Sequence, residues 1–253
     1  MIHFFRRIRQ KLITDGKLYK YLIYALGEIA LVMIGILLAL QVNNWNQNRI
    51  NRSSTQYALS LMQEDLSNDQ TQLRSLKAQT DTIITFASNF LHLFFGNRDD
   101  VENIPQSLWI ATFEMTFQPH KNAYESMNRD GVLTHMDNEL QQAIVEYYNL
   151  LENINEREAT NNAYIQNIYE PYVTEHYSHL ALYNIKEPNL SVLYQHDERS
   201  LPPYDPGGLF QDSRLELQMG GRYIQSIKAS HLYEEAIEMA GLLSSKIDSF
   251  DRK

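Results

Sequence analysis

The sequence predicts an all-α protein, with one N-terminal transmembrane helix followed by an extracytoplasmic helical bundle built of long amphipathic helices. Three observations predict it. Residues 21–42, YLIYALGEIALVMIGILLALQV, hold only Glu28 and Gln41 as strongly polar side chains. From Leu59 onward, apolar residues recur at three-four spacing in several long runs. Nowhere do apolar and polar residues alternate at period two for long, so no sheet is announced.

The apolar run comes first. Its 22 residues make a helix of roughly 33 Å, which matches a hydrocarbon core of about 30 Å. Tyr19, Tyr21 and Tyr24 at one end and Trp45 past the other have the amphipathic rings that favour headgroup level. A cleaved signal peptide would need a shorter apolar region and a small-residue cleavage site, and Ala39-Leu40-Gln41 is a poor one. Arg6, Arg7, Arg9, Lys11, Lys17 and Lys20 precede the run, whereas only Arg49 and Arg52 follow it closely. The positive-inside rule therefore keeps the N-terminus in the cytoplasm. Phe4 or Phe5, Ile8 and Leu12 recur among those cations as in a short helix lying in the interface. The resulting division is a basic amphipathic segment at 1–16, the span at 17–43, a polar stalk or linker at 44–54 and a helical domain at 55–253.

Charge separates these parts. Residues 43–253 hold 16 basic and 29 acidic side chains, a balance of −13 beyond the membrane. Such a surface repels polyanions, so nucleic acid is an unfavourable partner and the lipid bilayer meets the chain through its basic end and its span. With no Cys, disulfides, thiolate zinc sites and thiol nucleophiles are excluded.

Within 55–253, Leu59, Met62, Leu66, Asp69, Leu73, Leu76, Thr80, Ile83, Ala87, Phe90 and Phe94 form one heptad-like seam, ended by Gly96-Asn97. Pro105 opens a short helix with Leu108, Trp109 and Phe113 in its apolar set, and a second runs from Lys121 to the Asp130-Gly131 turn. Asn138 with Gln141 reads as a capping box for a longer helix carried by Leu140, Ile144, Tyr147, Leu151, Ile154, Ile165 and Ile168, which Pro171 kinks or ends. Residues 184–210, with Pro188, Pro202, Pro203 and Pro206, read as a long irregular connection. A last helix is marked by Tyr223, Ile227, Ser230, Ile237, Ala240, Leu243, Ile247 and Phe250, with Gly220-Gly221 weakening its start. Amphipathic helices of this kind can hide their faces only against one another, hence a bundle.

The run FFRRIRQKL, followed by GKLYKYLIYALGEIALVMIGILLALQVNNWN, resembles the N-terminal signature of a family of single-pass membrane proteins of unknown function from Bacteroidota. The resemblance is dense from Phe4 to Asn46 and extends to YALSLMQEDLSNDQTQL, AYESMNRDGVL and NELQQAIVEYYNLL. It implies an inner-membrane anchor with a periplasmic domain, and it supplies no activity and no catalytic residue.

Among residues able to carry chemistry, Glu28 is the sharpest, because a carboxylate inside an apolar span is costly and usually faces protein or a polar cavity. Tyr24, Gly35 and Ala39 lie on nearly the same side, and the two small residues let a second helix approach. These four form a candidate intramembrane contact, with another copy of the chain or with a multi-span protein. His176 and His179, with Glu175 nearby, have the i, i+3 spacing of a ligand pair but lack the fuller motifs of zinc or di-iron sites, and His196 and Asp197 would join them only through tertiary folding. Ser126, Ser178 and Ser213 sit in no nucleophile elbow, and the Gly-Gly pairs at 207 and 220 lack phosphate-loop spacing. Tyr147, Tyr148, Tyr164, Tyr169, Tyr172 and Tyr177 read as core edges or as a groove lining. No catalytic, cofactor or metal residue is assigned. The expectation is a non-enzymatic anchored module that binds a protein or ligand, with an accessory subunit of an energised transporter or motor as the alternative and a metal-dependent enzyme as the weakest reading.

Overall fold

The computed structural model describes residues 18–96, 101–183 and 206–251. The basic segment before the apolar run, most of the 184–210 connection, His196 and Asp197 lie outside the described residues. The chain divides into two units, Met1–Gln56 and Tyr57–Lys253. Helix α1, Leu18–Phe94, contributes residues to both.

In the first unit α1 is long and apolar enough to cross a membrane, and none of its most apolar 18-residue window is buried by protein. Leu22, Leu26, Leu31, Leu37 and Val42 are all exposed. Residues 44–54 are helical, although they have no apolar stripe. Local pairs support them: Gln47 Nε2 donates to Asn51 Oδ1 at 2.9 Å, and the Arg49 guanidinium lies 5.6 Å from the Trp45 ring centroid.

In the second unit, α1 is followed by α2 (Ile104–Ile110), α3 (Asn122–Arg129), α4 (Asn138–Tyr164), α5 (Glu170–Tyr177) and α6 (Ser213–Asp251). No strand occurs among the described residues. The α1 seam is buried as its period predicts, the polar Asp69 and Thr80 included, with Phe94 half-buried. Gly96, at φ +96°, closes the helix in the left-handed conformation that suits glycine. The main core joins α1, α4 and α6 around Leu66, Leu73, Ile144, Leu151, Tyr233 and Ala240. A smaller one gathers Phe90, Leu108, Tyr169, Leu180, Leu215 and Met219.

Four local expectations are corrected. Helix α4 is capped by Asp137, one residue before the expected Asn138: its carboxylate accepts from the Leu140 N–H at 2.9 Å, and Gln141 reaches back to the Met136 carbonyl instead. A carboxylate held outside the first turn reaches the free N–H groups better than the amide already inside it. Helix α6 starts at Ser213 and passes straight through Gly220-Gly221, because Asp212 caps it, accepting from the N–H groups of Arg214 and Leu215 at 3.0 Å each. Its buried stripe is Leu215, Met219, Arg222, Ser226, Ala229, Tyr233, Ala236, Ala240, Leu243 and Ile247, so Tyr223 and Ile227 sit beside the seam rather than in it. Finally, Trp109, Phe113 and Ile168 are partly exposed, at 41 %, 41 % and 45 %.

At Pro171 the regular α-helix is interrupted on the N-terminal side of the proline, while helical structure continues past it. A proline lacks the N–H for an i→i−4 bond, and its ring crowds the carbonyl four residues back. The helix opens into a π turn at Ile165–Tyr169 and resumes as α5. Asn167, within this wider turn, donates from Nδ2 to the Ala163 carbonyl near the end of α4 at 2.7 Å.

Candidate functional site

Between α2 and α3, residues 113–121 form neither helix nor strand. Thr116 and Phe117 are poor helix formers, and Pro119 disfavours helical conformation at Gln118. Buried backbone groups need partners, and here side chains of the long helices supply them. From α4, Asn162 accepts from the Met115 N–H (3.2 Å) and donates to its carbonyl (2.7 Å), and Glu158 Oε2 accepts from Phe117 N–H (2.7 Å). From α1, Asp69 Oδ1 accepts from the backbone N–H of His120 (2.9 Å) and lies 2.8 Å from its ring Nδ1. From α6, Arg222 Nε donates to Ala111 O (2.9 Å) and Nη2 to Phe113 O (3.2 Å), while Nη1 reaches Asn161 Oδ1 (3.0 Å).

This strap therefore consumes the buried charges. Arg222 is fully buried and Asp69 likewise, and Glu158 is nearly so. Burial pushes the Arg222 guanidinium below its ordinary range. Burial also raises the carboxyls of Asp69 and Glu158, against the opposing pull of their hydrogen-bond donors, His120 and Tyr147 for Asp69 and Phe117 and Tyr233 for Glu158. None of the three was singled out for chemistry by sequence reasoning. The available signal was a charged residue at a seam position, visible for Asp69 and hidden for Arg222.

The corner where α5 meets the start of α6 is aromatic. Asp212 Oδ2 accepts from the hydroxyls of Tyr172 (2.6 Å) and Tyr177 (2.5 Å), while Oδ1 caps α6. Partial burial would raise this carboxyl, but the four donors outweigh it and hold it below its usual range. Arg214 lies 4.4 Å from the Tyr172 ring centroid and His176 stacks on the same ring at 4.3 Å. His176 and His179 both line an open cavity of about 470 Å³ with Gln211 and Asp212. His176 Nδ1 lies 3.0 Å from the Tyr172 carbonyl oxygen, and no third acidic or imidazole side chain joins the pair as a ligand set among the described residues.

A smaller cleft of about 220 Å³, which shares Tyr177 and Leu180 with that cavity, opens between α5 and α2. Pro105, Leu108 and Trp109 form one wall, Val173 and Tyr177 the other, with Glu170 also in the lining. The π turn sets this wall: Tyr169, its last residue, is fully buried and donates to the Leu108 carbonyl at 3.3 Å. Trp109 packs edge-on to Phe113, ring centroids 6.1 Å apart, and stays 41 % exposed. A π turn beside a cleft with a half-exposed tryptophan has the character of a binding site rather than of core. Pro171 was the sequence signal for the turn, and Glu170 went unnoticed because its neighbour across the cleft is more than 60 residues away.

In the first unit, the helical period sets Tyr24, Glu28, Gly35 and Ala39 on one side of α1, all four exposed and with open space over Gly35.

The profile of DUF6090, a family of unknown function, matches residues 28–186, and the chain belongs to that family. The match takes in the three helical segments noted in the sequence and begins inside the apolar run, so FFRRIRQKL lies outside it. No curated protein and no solved structure matches the chain.

Proposed function

We propose that this DUF6090 chain is a non-enzymatic module, anchored by α1 in the inner membrane with its N-terminus inside, whose periplasmic helical domain binds a partner protein. The observation that carries the binding reading is the apolar cleft at the π turn, with Trp109 half-exposed at its wall. The buried charges support it too, since Asp69, Glu158 and Arg222 are committed to holding the strap. Nucleic acid is disfavoured by the domain's balance of 16 basic against 29 acidic groups over residues 43–253.

The anchor is tested by extraction and topology. The chain should resist alkaline carbonate and yield to detergent, and a C-terminal reporter that works only outside the cytoplasm should be active. A soluble chain or a silent reporter would refute the anchored arrangement. For binding, Val173→Phe narrows the cleft by replacing one wall residue, and a partner held there should be lost from mild-detergent preparations while the fold is retained. A partner retained unchanged in that variant would exclude the cleft.

A second reading, an accessory subunit pairing inside the membrane with another copy or a multi-span protein, is favoured by the common side of Tyr24, Glu28, Gly35 and Ala39. Glu28→Gln should then shed that membrane partner or halve the oligomer mass. Identical mass and composition in both forms would remove the intramembrane contact.

A further inference from the structure

We propose that the cleft between α2 and α5 receives an arginine side chain presented by the partner protein. This rests on the cleft being the binding site and adds which chemistry it reads. Size comes first: about 220 Å³ is below the roughly 300–1,000 Å³ of ordinary small-molecule pockets, and suits one long side chain rather than a free ligand. The lining then divides by chemistry. Leu108, Val173 and Leu180 offer an apolar bed for a methylene stem. Trp109 and Tyr177 offer aromatic rings, and Glu170 is the one charged side chain in the lining.

No described cation lies within ion-pair distance of Glu170. A planar guanidinium matches this set, because it stacks on aromatic rings and pairs in a fork with a carboxylate, which a compact ammonium does less well. The surrounding field agrees: the −13 balance of residues 43–253 attracts a basic partner surface and speeds its encounter. Tryptophan and arginine are also the residues most often found at interface hot spots.

The test uses the full-length chain in detergent with Trp45→Phe, leaving Trp109 as the only tryptophan. Acetyl-arginine amide is titrated at constant ionic strength, beside acetyl-citrulline amide, which keeps the shape and loses the charge, and acetyl-norleucine amide, which keeps only the stem. Arginine should shift Trp109 emission saturably in the millimolar range, with citrulline about tenfold weaker, the combined size of an exposed ion pair and a cation–π contact. Glu170→Gln, an exposed position, should bring arginine and citrulline close together, and Val173→Phe should abolish both responses. Equal binding of arginine and citrulline in the unaltered cleft overturns the arginine assignment and leaves the cleft as a binding site. No response to any of the three overturns both.

Discussion

Arg222→Met is expected to lower the stability of the helical domain by about 3 kcal/mol, on the scale measured when a buried charged hydrogen-bonding partner is removed. Methionine keeps most of the apolar stem in place, so the loss comes from the donors. The carbonyls of Ala111 and Phe113 and the Asn161 side chain would each lose a buried partner, against which the relief of a desolvated cation is only a partial offset. Arg222→Lys should recover little, because a single ammonium cannot span acceptors that Nε, Nη1 and Nη2 now reach separately. For a domain of this size the loss corresponds to a fall of roughly 6–12 °C in Tm. Near-UV circular dichroism of the solubilised chain follows tertiary packing without the backbone signal of the long α1 helix. A shift below about 2 °C would mean that the strap is not held by Arg222.

The second large effect concerns Glu158. Glu158→Ala removes the acceptor for both Phe117 N–H and Tyr233 OH, and should cost about 3 kcal/mol by the same reasoning. Glu158→Gln keeps an oxygen for Phe117 and lets the tyrosine hydroxyl turn to accept, so its cost should stay near 1 kcal/mol. The pH dependence separates the two carboxyl states. Burial raises Glu158 above its ordinary 4.5 and Asp69 above its ordinary 3.8 in the folded chain. A group raised on folding binds its proton more tightly in the native state, so its contribution is present below the unfolded value and is lost as pH rises through the folded one. Wild-type stability should therefore decline on going up from about pH 4.5, and Glu158→Gln should flatten that decline in denaturant titrations. Asp212, held below its ordinary 3.8, keeps its contribution throughout this window. A pH slope unchanged in the glutamine variant would assign the decline elsewhere.

Several elements were legible because their cause is local. The apolar run of residues 21–42 is uninterrupted enough to specify a helix of membrane-spanning length whatever surrounds it. The α1 seam was readable through Asp69 and Thr80 because its other positions are apolar at one period. On α6 the same rule slipped, since Arg222 and Ser226 occupy buried positions and the neighbouring Tyr223 and Ile227 imitate a stripe. Gly220-Gly221 misled for a related reason: their intrinsic cost is about 1 kcal/mol each, small beside the packing and the Asp212 cap that carry the helix through them.

By itself, the sequence determined the helical class, an apolar run of membrane-spanning length and the ends of α1 and α3, because apolar periodicity and glycine act over a few residues. Only the tertiary structure decided what becomes of residues 113–121 and of the cleft at Pro171. The strap's partners come from Asp69, Glu158, Asn162 and Arg222 on three helices. The cleft exists because a π turn at Ile165–Tyr169 brings α5 against α2, some 60 residues earlier in the chain. Hydrogen-bond satisfaction inside a core is a property of the packed assembly, and no local pattern encodes which distant side chain will meet a given carbonyl.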